Sequence, residues 1–236
     1  MNALLVRVAA DLTAVGGSWN GPVDSRSRKF VYVPIPEASR LHAGLEKRYT
    51  ALIPALADLA VELPGHLRSR RMHLDPDFSH LTYRDVGQRA KQLHERLGRG
   101  DLVVFYAGLR DVNGARELVY AIIGLLVVEE FVLARDVPAR NRDMNAHARR
   151  VLAPGVEDLI VVGQPGVSGR LERCLPIGER RDRAYRVRRN LLDEWGGLSV
   201  NDGYVQRSAR LPRFLDAPRF IGWLERQRPT LKQANN

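Results

Sequence analysis

The sequence predicts an α+β fold in which a mixed β-sheet or small barrel is flanked by helices. The first observation is a long antiparallel hairpin. The apolar run 101–109 is followed by Asn113-Gly114, a dipeptide typical of turns that need positive φ, and then by a second apolar run, 117–131. The second observation is that strand-like and helix-like segments alternate irregularly, which disfavours a doubly wound parallel sheet.

Other short apolar segments predict the remaining strands. These are residues 4–10, 30–35, 158–163 and 171–177. Gly124 interrupts the second strand of the hairpin, and a glycine inside a strand usually marks a bulge or a place where another group comes close.

Apolar residues spaced three and four apart predict the helices. One covers 41–56, where Pro54 kinks or restarts it. A second is expected to start at Thr82 and Asp85, which have capping-box spacing, and to run to residue 97. Further helices are predicted over 186–195 and 218–227. No repeat or linker divides the chain, so we expect a single domain over 1–236.

Composition excludes several classes of protein. The chain has 236 residues, of which 44% are hydrophobic and 27% charged, as in a globular protein. Charged residues interrupt every apolar run before the ~20 residues that a bilayer requires, so we expect no membrane association. The opening segment lacks the features of a signal peptide, which predicts a cytoplasmic location. One cysteine, Cys174, excludes an intrachain disulfide and a cysteine-based zinc cluster.

The net charge of +10 indicates a polyanion as partner. Nearly all basic residues are arginine, which a GC-rich genome also produces without function. The densest run, 179–190, has six arginines around Tyr185. We interpret Arg186, Arg188 and Arg189 as phosphate-binding residues, because arginine makes paired hydrogen bonds to phosphate. The alternative is a solvated charged face.

The stretch HLDPDF contains the candidate catalytic residues. In an extended segment, His73, Asp75 and Asp77 point to one side, so that they could supply a general acid and base or ligate a cation. The alternative is a polar loop in which Asp75 braces a turn. A metal site is not predicted, because no second histidine-rich cluster is evident that would complete a ligand set, and the sequence identifies no cofactor.

Two further stretches supply candidate base-binding residues. The glycine-rich loop after the first strand contains Gly16-Gly17, and its neighbours could stack on a base and read its edge. In the hairpin, Phe105 and Tyr106 should face opposite sides of the sheet, and we expect Tyr106 to line the pocket because its hydroxyl can lie at a solvated rim. A tight turn covered by a tryptophan, and aromatic packing on both faces of the sheet, are the alternatives. The predicted base-binding residues are Asp11, Trp19, Asn20, Tyr106 and Arg110.

These blocks carry a family resemblance. The stretches GGSWNGPV, FVYVPIPE, HLDPDF, LTYRD and GDLVVFYAGLRD, in this order, resemble the nucleotide modification associated domain family of the third type. The hairpin also resembles the core of PUA-like barrels, which include the EVE and YTH base-reading domains. The resemblance implies a PUA-like core over about 3–165, a basic helical part over about 178–236, and a role in pathways that alter bases in nucleic acid.

Three functions remain open at this level. The favoured one is a protein that binds a modified nucleobase or nucleotide in a pocket walled by the hairpin. The second is an enzyme, a nuclease or base-modifying transferase, in which His73 is a general base that Asp75 orients, or in which Asp75 binds a metal. The third is a structural partner of other modification-pathway proteins. The sequence shows no P-loop, serine elbow, Rossmann or zinc-deaminase signature.

Overall fold

A computed structural model describes residues 1–11, 19–114, 117–206 and 209–236 of the chain. The strands are β1 (Ala3–Arg7), β2 (Pro22–Val23), β3 (Ile35–Pro36), β4 (Met72–His73), β5 (Thr82–Tyr83), β6 (Leu102–Asp111), β7 (Leu118–Leu133), β8 (Leu159–Gly163), β9 (Gly169–Pro176), β10 (Gly178–Arg181), β11 (Ala184–Val187) and β12 (Leu231–Lys232). The α-helices are α1 (Ile53–Ala57), α2 (Gly87–Arg96), α3 (Arg189–Trp195) and α4 (Ala217–Arg226).

The predicted hairpin is confirmed and forms the centre of the main sheet. Strand β6 pairs antiparallel with β7, from Leu102 opposite Val127 to Arg110 opposite Leu118. On its other edge, β6 pairs in parallel with β1 and β2. The long strand β7 pairs with β9 along its first part and with β8 along its second part, and β5 joins β8.

Gly124 lies at a bulge in β7, as its position in the strand predicts. The register shifts opposite the step from Phe105 to Tyr106. A Cβ atom on Gly124 would lie 2.5 Å from the Phe78 ring and 2.8 Å from the carbonyl oxygen of Gly169. Only glycine therefore allows this strand, the Phe78 ring and β9 to pack so closely.

Both faces of the sheet are buried. Phe105 belongs to a large cluster with the chain segments between β2 and β5, whereas Tyr106 belongs to a second cluster with α3 and α4. Successive residues therefore face opposite sides, as predicted. Trp195 and Phe220 in the two C-terminal helices are fully buried against the second face. The part of the chain after residue 178 contributes the β10–β11 hairpin as well as helices.

The sheet does not close into a barrel within the described residues. Strand β1 is at one edge of the strand order and β5 is at the other, with no ladder between them. The mixed α+β class is confirmed, but the barrel was wrong and the PUA-like core is not confirmed. The outer side of β1 is instead occupied by residues 212–214, which exchange backbone hydrogen bonds with Ala3 and Leu5, and the opposite edge strand β5 is only two residues long.

Two local predictions also differ from the structure in the type of element formed. The helix over 41–56 is limited to α1 and a preceding 3-10 turn, because Leu41 and Arg48 make β-bridges to Arg150 and Arg71. Thr82 is not a helix cap: it lies in β5, and its hydroxyl donates to the carbonyl of Met144.

The remaining differences concern element boundaries. The segment 30–35 contributes only Ile35 to a regular strand, and the helix predicted over 186–195 begins at Arg189 because the preceding residues pair in β11. The strand 158–163 and the helix 218–227 are confirmed within a residue. No helix in the described ranges combines the length and apolarity needed to cross a bilayer.

Candidate active site

A cavity of about 160 Å³ lies beside β1, β4 and β5. Its lining includes two histidines and an aspartate, His73, Asp75 and His147. One donor atom from each of the three lies within 4.8 Å of the others. The remaining lining residues are Arg7, Val8, Ala9, Asp11, Ile35, Tyr83, Arg84, Asp85, Val86 and Arg89.

A two-residue ladder positions His73. It lies in β4 opposite Ile35 of β3, so Glu37, just beyond β3, is beside the imidazole. The Nδ1 of His73 is 2.7 Å from Oε2 of Glu37. The carboxylate is held in turn by the Arg150 guanidinium, at 3.0 and 3.2 Å, and by the backbone N–H of Ser39. His73 therefore has one ring nitrogen fixed by a buried, anchored carboxylate.

The second imidazole is fixed in the same way from the opposite side. Nδ1 of His147 is 2.6 Å from Oδ2 of Asp158, the residue before β8. The other oxygen of Asp158 pairs at 2.5 Å with Arg84, which follows β5. Because β5 and β8 are adjacent strands, their ladder brings these two residues together. Asn145 holds the histidine segment, since its side-chain oxygen accepts from the His147 N–H.

The Nε2 atoms of both histidines face the same oxygen of Asp75. Oδ2 of Asp75 lies 3.7 Å from Nε2 of His73 and 3.5 Å from Nε2 of His147. The other oxygen, Oδ1, accepts from the backbone N–H of Arg84 at 2.8 Å and lies 3.4 Å from Nδ2 of Asn145. The three side chains are at most 7% exposed. Asp75 thus has one occupied oxygen and one that faces the imidazoles.

The surroundings shift the pKa values of the two histidines in opposite directions. Burial alone would lower the pKa of His73, but the carboxylates of Asp75 and Glu37 outweigh it and raise the pKa above its usual value. For His147, burial prevails over the contact with Asp158 and lowers the pKa. The contacts with His73 and Arg150 hold the pKa of Glu37 well below its usual range, although burial opposes them.

Asp77 is not part of this group. It is buried, but it pairs with Arg149, which is 2% exposed, and accepts a hydrogen bond from the Asn235 amide at 2.9 Å. The alternation expected along HLDPDF does not extend this far, because β4 ends at His73 and the chain turns after Asp75. The structure thus brings His73 and Asp75 together and directs Asp77 into an internal ion pair.

The predicted base-binding residues are dispersed. Asp11 lines the cavity and pairs with Arg7 at 3.2 Å. Trp19 is half-buried against the first core cluster and is not among the lining residues. Asn20 donates to the Gly108 carbonyl.

The two hairpin residues lie away from the cavity lining. Tyr106 is buried, and its hydroxyl donates at 2.6 Å to the carbonyl of Val205 rather than facing a wet rim. Arg110 is half-buried near the hairpin end, where its backbone N–H donates to Gly21. The Gly16-Gly17 pair lies outside the described residues.

The three predicted phosphate-binding arginines differ in their contacts. Arg186 donates to the Asn201 carbonyl and lies over the Tyr204 ring. Arg188 donates to the carbonyl of Pro176. Arg189, the first residue of α3, is exposed. Two of the three are therefore engaged within the protein, and the phosphate role of all three stays a prediction.

Sequence reasoning missed His147 and the groups that anchor the histidines. His147 lies in MNAHARR, which carries no motif, although the chain has only six histidines and each could have been considered as a partner of His73. Glu37 lay within the block FVYVPIPE that supports the family resemblance. Asp158 and Arg84 had no signal of their own, because only the β5–β8 ladder brings them together.

Comparison with protein families agrees with the motif resemblance. The family model described as nucleotide modification associated domain 3 matches residues 2–216. The chain belongs to this family. The match includes His73, Asp75, His147 and both anchoring carboxylates, so the whole site lies within the nucleotide modification associated domain. No curated protein and no solved structure was found to match the chain.

Proposed function

We propose that this nucleotide modification associated domain is an enzyme that binds a nucleobase or nucleotide in the cavity and acts on it at His73, Asp75 and His147. One observation carries the proposal. Two buried imidazoles and one buried carboxylate lie close together in the lining of a cavity within the matched family domain.

Burying two imidazoles and a carboxylate together costs free energy, which a protein that only binds a ligand has no need to spend. Burying a carboxylate or an imidazole removes its hydration, and the chain offsets this cost with the anchored carboxylates of Glu37 and Asp158. Each of the three side chains has one end fixed by a hydrogen bond, which limits it to one orientation, as a reacting group requires. The geometry therefore favours an active site over a structural polar cluster.

The cavity suits a base-sized group. Its volume of about 160 Å³ is below the roughly 300–1,000 Å³ of pockets that enclose drug-sized molecules. Arginines and carboxylates in its wall, among them Arg84, Arg89 and Asp11, offer donors and acceptors to the polar edge of a base. We propose that the base enters this cavity and that the rest of the nucleotide or nucleic acid stays outside.

A pure base reader is supported less well. A reader of single bases usually stacks the base on an aromatic face. The two aromatic residues proposed for that role are used elsewhere, since Tyr106 bonds to Val205 and Trp19 packs on the core. Tyr83 does line the cavity, but it is 3% exposed.

Mass spectrometry of nucleosides tests the proposal. The purified chain is incubated with DNA, RNA or free nucleotides in the presence of a small-molecule cell extract that supplies co-substrates. The nucleic acid is then digested and compared with a sample that received Asp75→Asn protein. We expect a nucleoside of changed mass with the natural chain and none with the variant, while nucleotide binding persists. The exposed His66 provides the control, because His66→Ala should act like the natural chain.

Two outcomes oppose the proposal. If Asp75→Asn weakens nucleotide binding and no nucleoside changes mass with either protein, the domain is a reader. If the natural chain and Asp75→Asn bind DNA, RNA and free nucleotides equally, and neither protein changes the mass of any nucleoside, the cavity is not a nucleotide site. A nucleotide that co-purifies with the natural chain, identified by mass, would name the substrate class directly.

A further inference from the structure

We infer that His73, Asp75 and His147 bind one divalent transition-metal ion, such as Zn²⁺ or Fe²⁺, through the two Nε2 atoms and Oδ2 of Asp75. The binding itself stands on the geometry alone. The catalytic use of the ion, with its open coordination positions toward the cavity, rests on the proposed function.

The spacing of the three atoms fits a shared ion better than direct hydrogen bonds. The distances of 3.5 and 3.7 Å from Asp75 Oδ2 to the two Nε2 atoms exceed the 2.7–3.2 Å of a good hydrogen bond. Two donors that are each about 2.1 Å from one ion, and about 109–120° apart, are about 3.4–3.6 Å apart. The two distances from Asp75 Oδ2 lie within about 0.1 Å of this range.

The second layer of contacts has the form found around metal-bound histidines. Each ligating histidine usually donates its other ring N–H to a carboxylate, which fixes the tautomer and directs the free lone pair at the metal. Here Glu37 and Asp158 occupy the two Nδ1 positions, at 2.7 and 2.6 Å. Arg150 Nη atoms also lie 3.1 and 3.3 Å from these Nδ1 atoms, but the carboxylates are closer and favour a proton on each Nδ1. In that tautomer both Nε2 lone pairs are directed toward Asp75.

Asp75 is arranged as a single-oxygen ligand. Its Oδ1 accepts from the Arg84 backbone, so Oδ2 alone remains for an ion. The local charge also favours a cation. Among the described residues, three buried or half-buried carboxylates, from Glu37, Asp75 and Asp158, pair with two guanidinium groups, from Arg84 and Arg150. When an ion binds, both imidazoles are neutral and the carboxylates exceed the guanidinium groups by one negative charge, which a divalent ion compensates.

The donor types select the class of ion. Two imidazoles with one carboxylate suit Zn²⁺ or Fe²⁺, and such three-ligand sites leave positions for water or substrate. Mg²⁺ and Ca²⁺ prefer oxygen ligands only, so they should compete poorly. The open positions would face the cavity, because all three protein ligands line it.

Metal titration without any nucleotide tests the inference. Chelator-treated protein is titrated with Co²⁺, followed by visible absorption, and with Zn²⁺, followed by calorimetry. We expect one ion per chain. His147→Ala and Asp75→Asn should each weaken binding by about 100-fold or more, and Asp158→Asn by about 10–100-fold through loss of the anchoring carboxylate. His66→Ala should bind as the natural chain does, and Mg²⁺ should not displace Co²⁺.

The inference is overturned if the natural chain binds neither Co²⁺ nor Zn²⁺, or if folded His147→Ala retains natural affinity. Circular dichroism checks folding, and the natural chain's own stoichiometry and Co²⁺ spectrum decide the matter where a variant does not fold. If the natural chain changes a nucleoside but binds no metal, only this inference fails. If it binds metal but acts on no nucleotide, the proposed function fails and the metal site stands.

Discussion

The imidazole rings of His73 and His147 stand edge to face, with centroids 5.0 Å apart and planes inclined at 78°. They come from distant parts of the chain, and each is held by a carboxylate from yet another segment. The β3–β4 ladder supplies one half of this arrangement and the β5–β8 ladder supports the other. The site therefore depends on tertiary packing, and its contacts should contribute measurably to folding.

A double-mutant cycle on His147 and Asp158 measures this coupling. Asp158→Ala should lower the free energy of unfolding by about 1–3 kcal/mol, because it leaves the buried His147 and Arg84 without their shared partner. Combined with His147→Ala, it should show a coupling of about 0.5–3 kcal/mol in urea unfolding. Exposed Asp136 is the control, since Asp136→Ala should not couple to His147. If the losses in unfolding free energy of the two single variants simply add in the double variant, the His147–Asp158 contact contributes no coupling energy.

Gly124→Ala should destabilise the protein by about 1–3 kcal/mol, because the new methyl group would overlap the Phe78 ring and the Gly169 carbonyl. Adding Phe78→Leu should restore only part of the loss, since the backbone carbonyl remains 2.8 Å from the new atom. Gly65, where a Cβ meets nothing within 4 Å, provides the control. If Gly124→Ala and the control Gly65→Ala are equally stable, the bulge geometry is contradicted.

The central hairpin was predictable because its signals are local. The Asn113-Gly114 turn and two apolar runs specify an antiparallel pair, and the helix over 217–226 has one apolar face. The 41–56 segment shows why periodicity alone was not enough. Its backbone pairs with Arg71 and Arg150, so tertiary contacts override a helical pattern.

Half of the candidate site was predictable, and the rest was not. His73 and Asp75 are close in sequence and share a short extended segment, so the expected two-residue alternation brings them together. Asp77 diverges because the strand ends before it. His147 joins them through its contact with Asp158 and through the hydrogen bond of Asn145 to Thr82, which are tertiary contacts that no local pattern reports.

Asp24 should make the free energy of unfolding depend on pH in the acid range. Hydrogen bonds from the Ser27 hydroxyl and the Asn113 amide lower the pKa of Asp24 to about 2. A carboxyl whose pKa is lower in the folded state stabilises that state above its unfolded pKa of ~3.9, and the contribution is lost as pH falls toward the folded value. The stability difference between the natural chain and Asp24→Asn should therefore be full at pH 6 and shrink between about pH 4 and pH 2.

Urea unfolding at several pH values measures this difference, and exposed Glu62 provides a matched control through Glu62→Gln. A difference that stays constant from pH 6 to pH 2 would show that the hydrogen bonds to Asp24 do not depend on its charge.

The three arginines predicted to bind phosphate in the run 179–190 should differ in role: Arg189 contacts phosphate, whereas Arg186 and Arg188 are structural. Arg189 is exposed, so Arg189→Ala should leave stability within about 0.5 kcal/mol. If it contacts a phosphate, the slope of log affinity against log salt for single-stranded DNA should flatten by about 0.7, because one fewer counterion is released. Arg188→Ala should instead lower the free energy of unfolding by about 1–3 kcal/mol, since it removes the hydrogen bond to Pro176, and should leave the slope unchanged. A flattened slope for Arg188→Ala with unchanged stability would reverse this assignment and place Arg188 on the nucleic-acid surface.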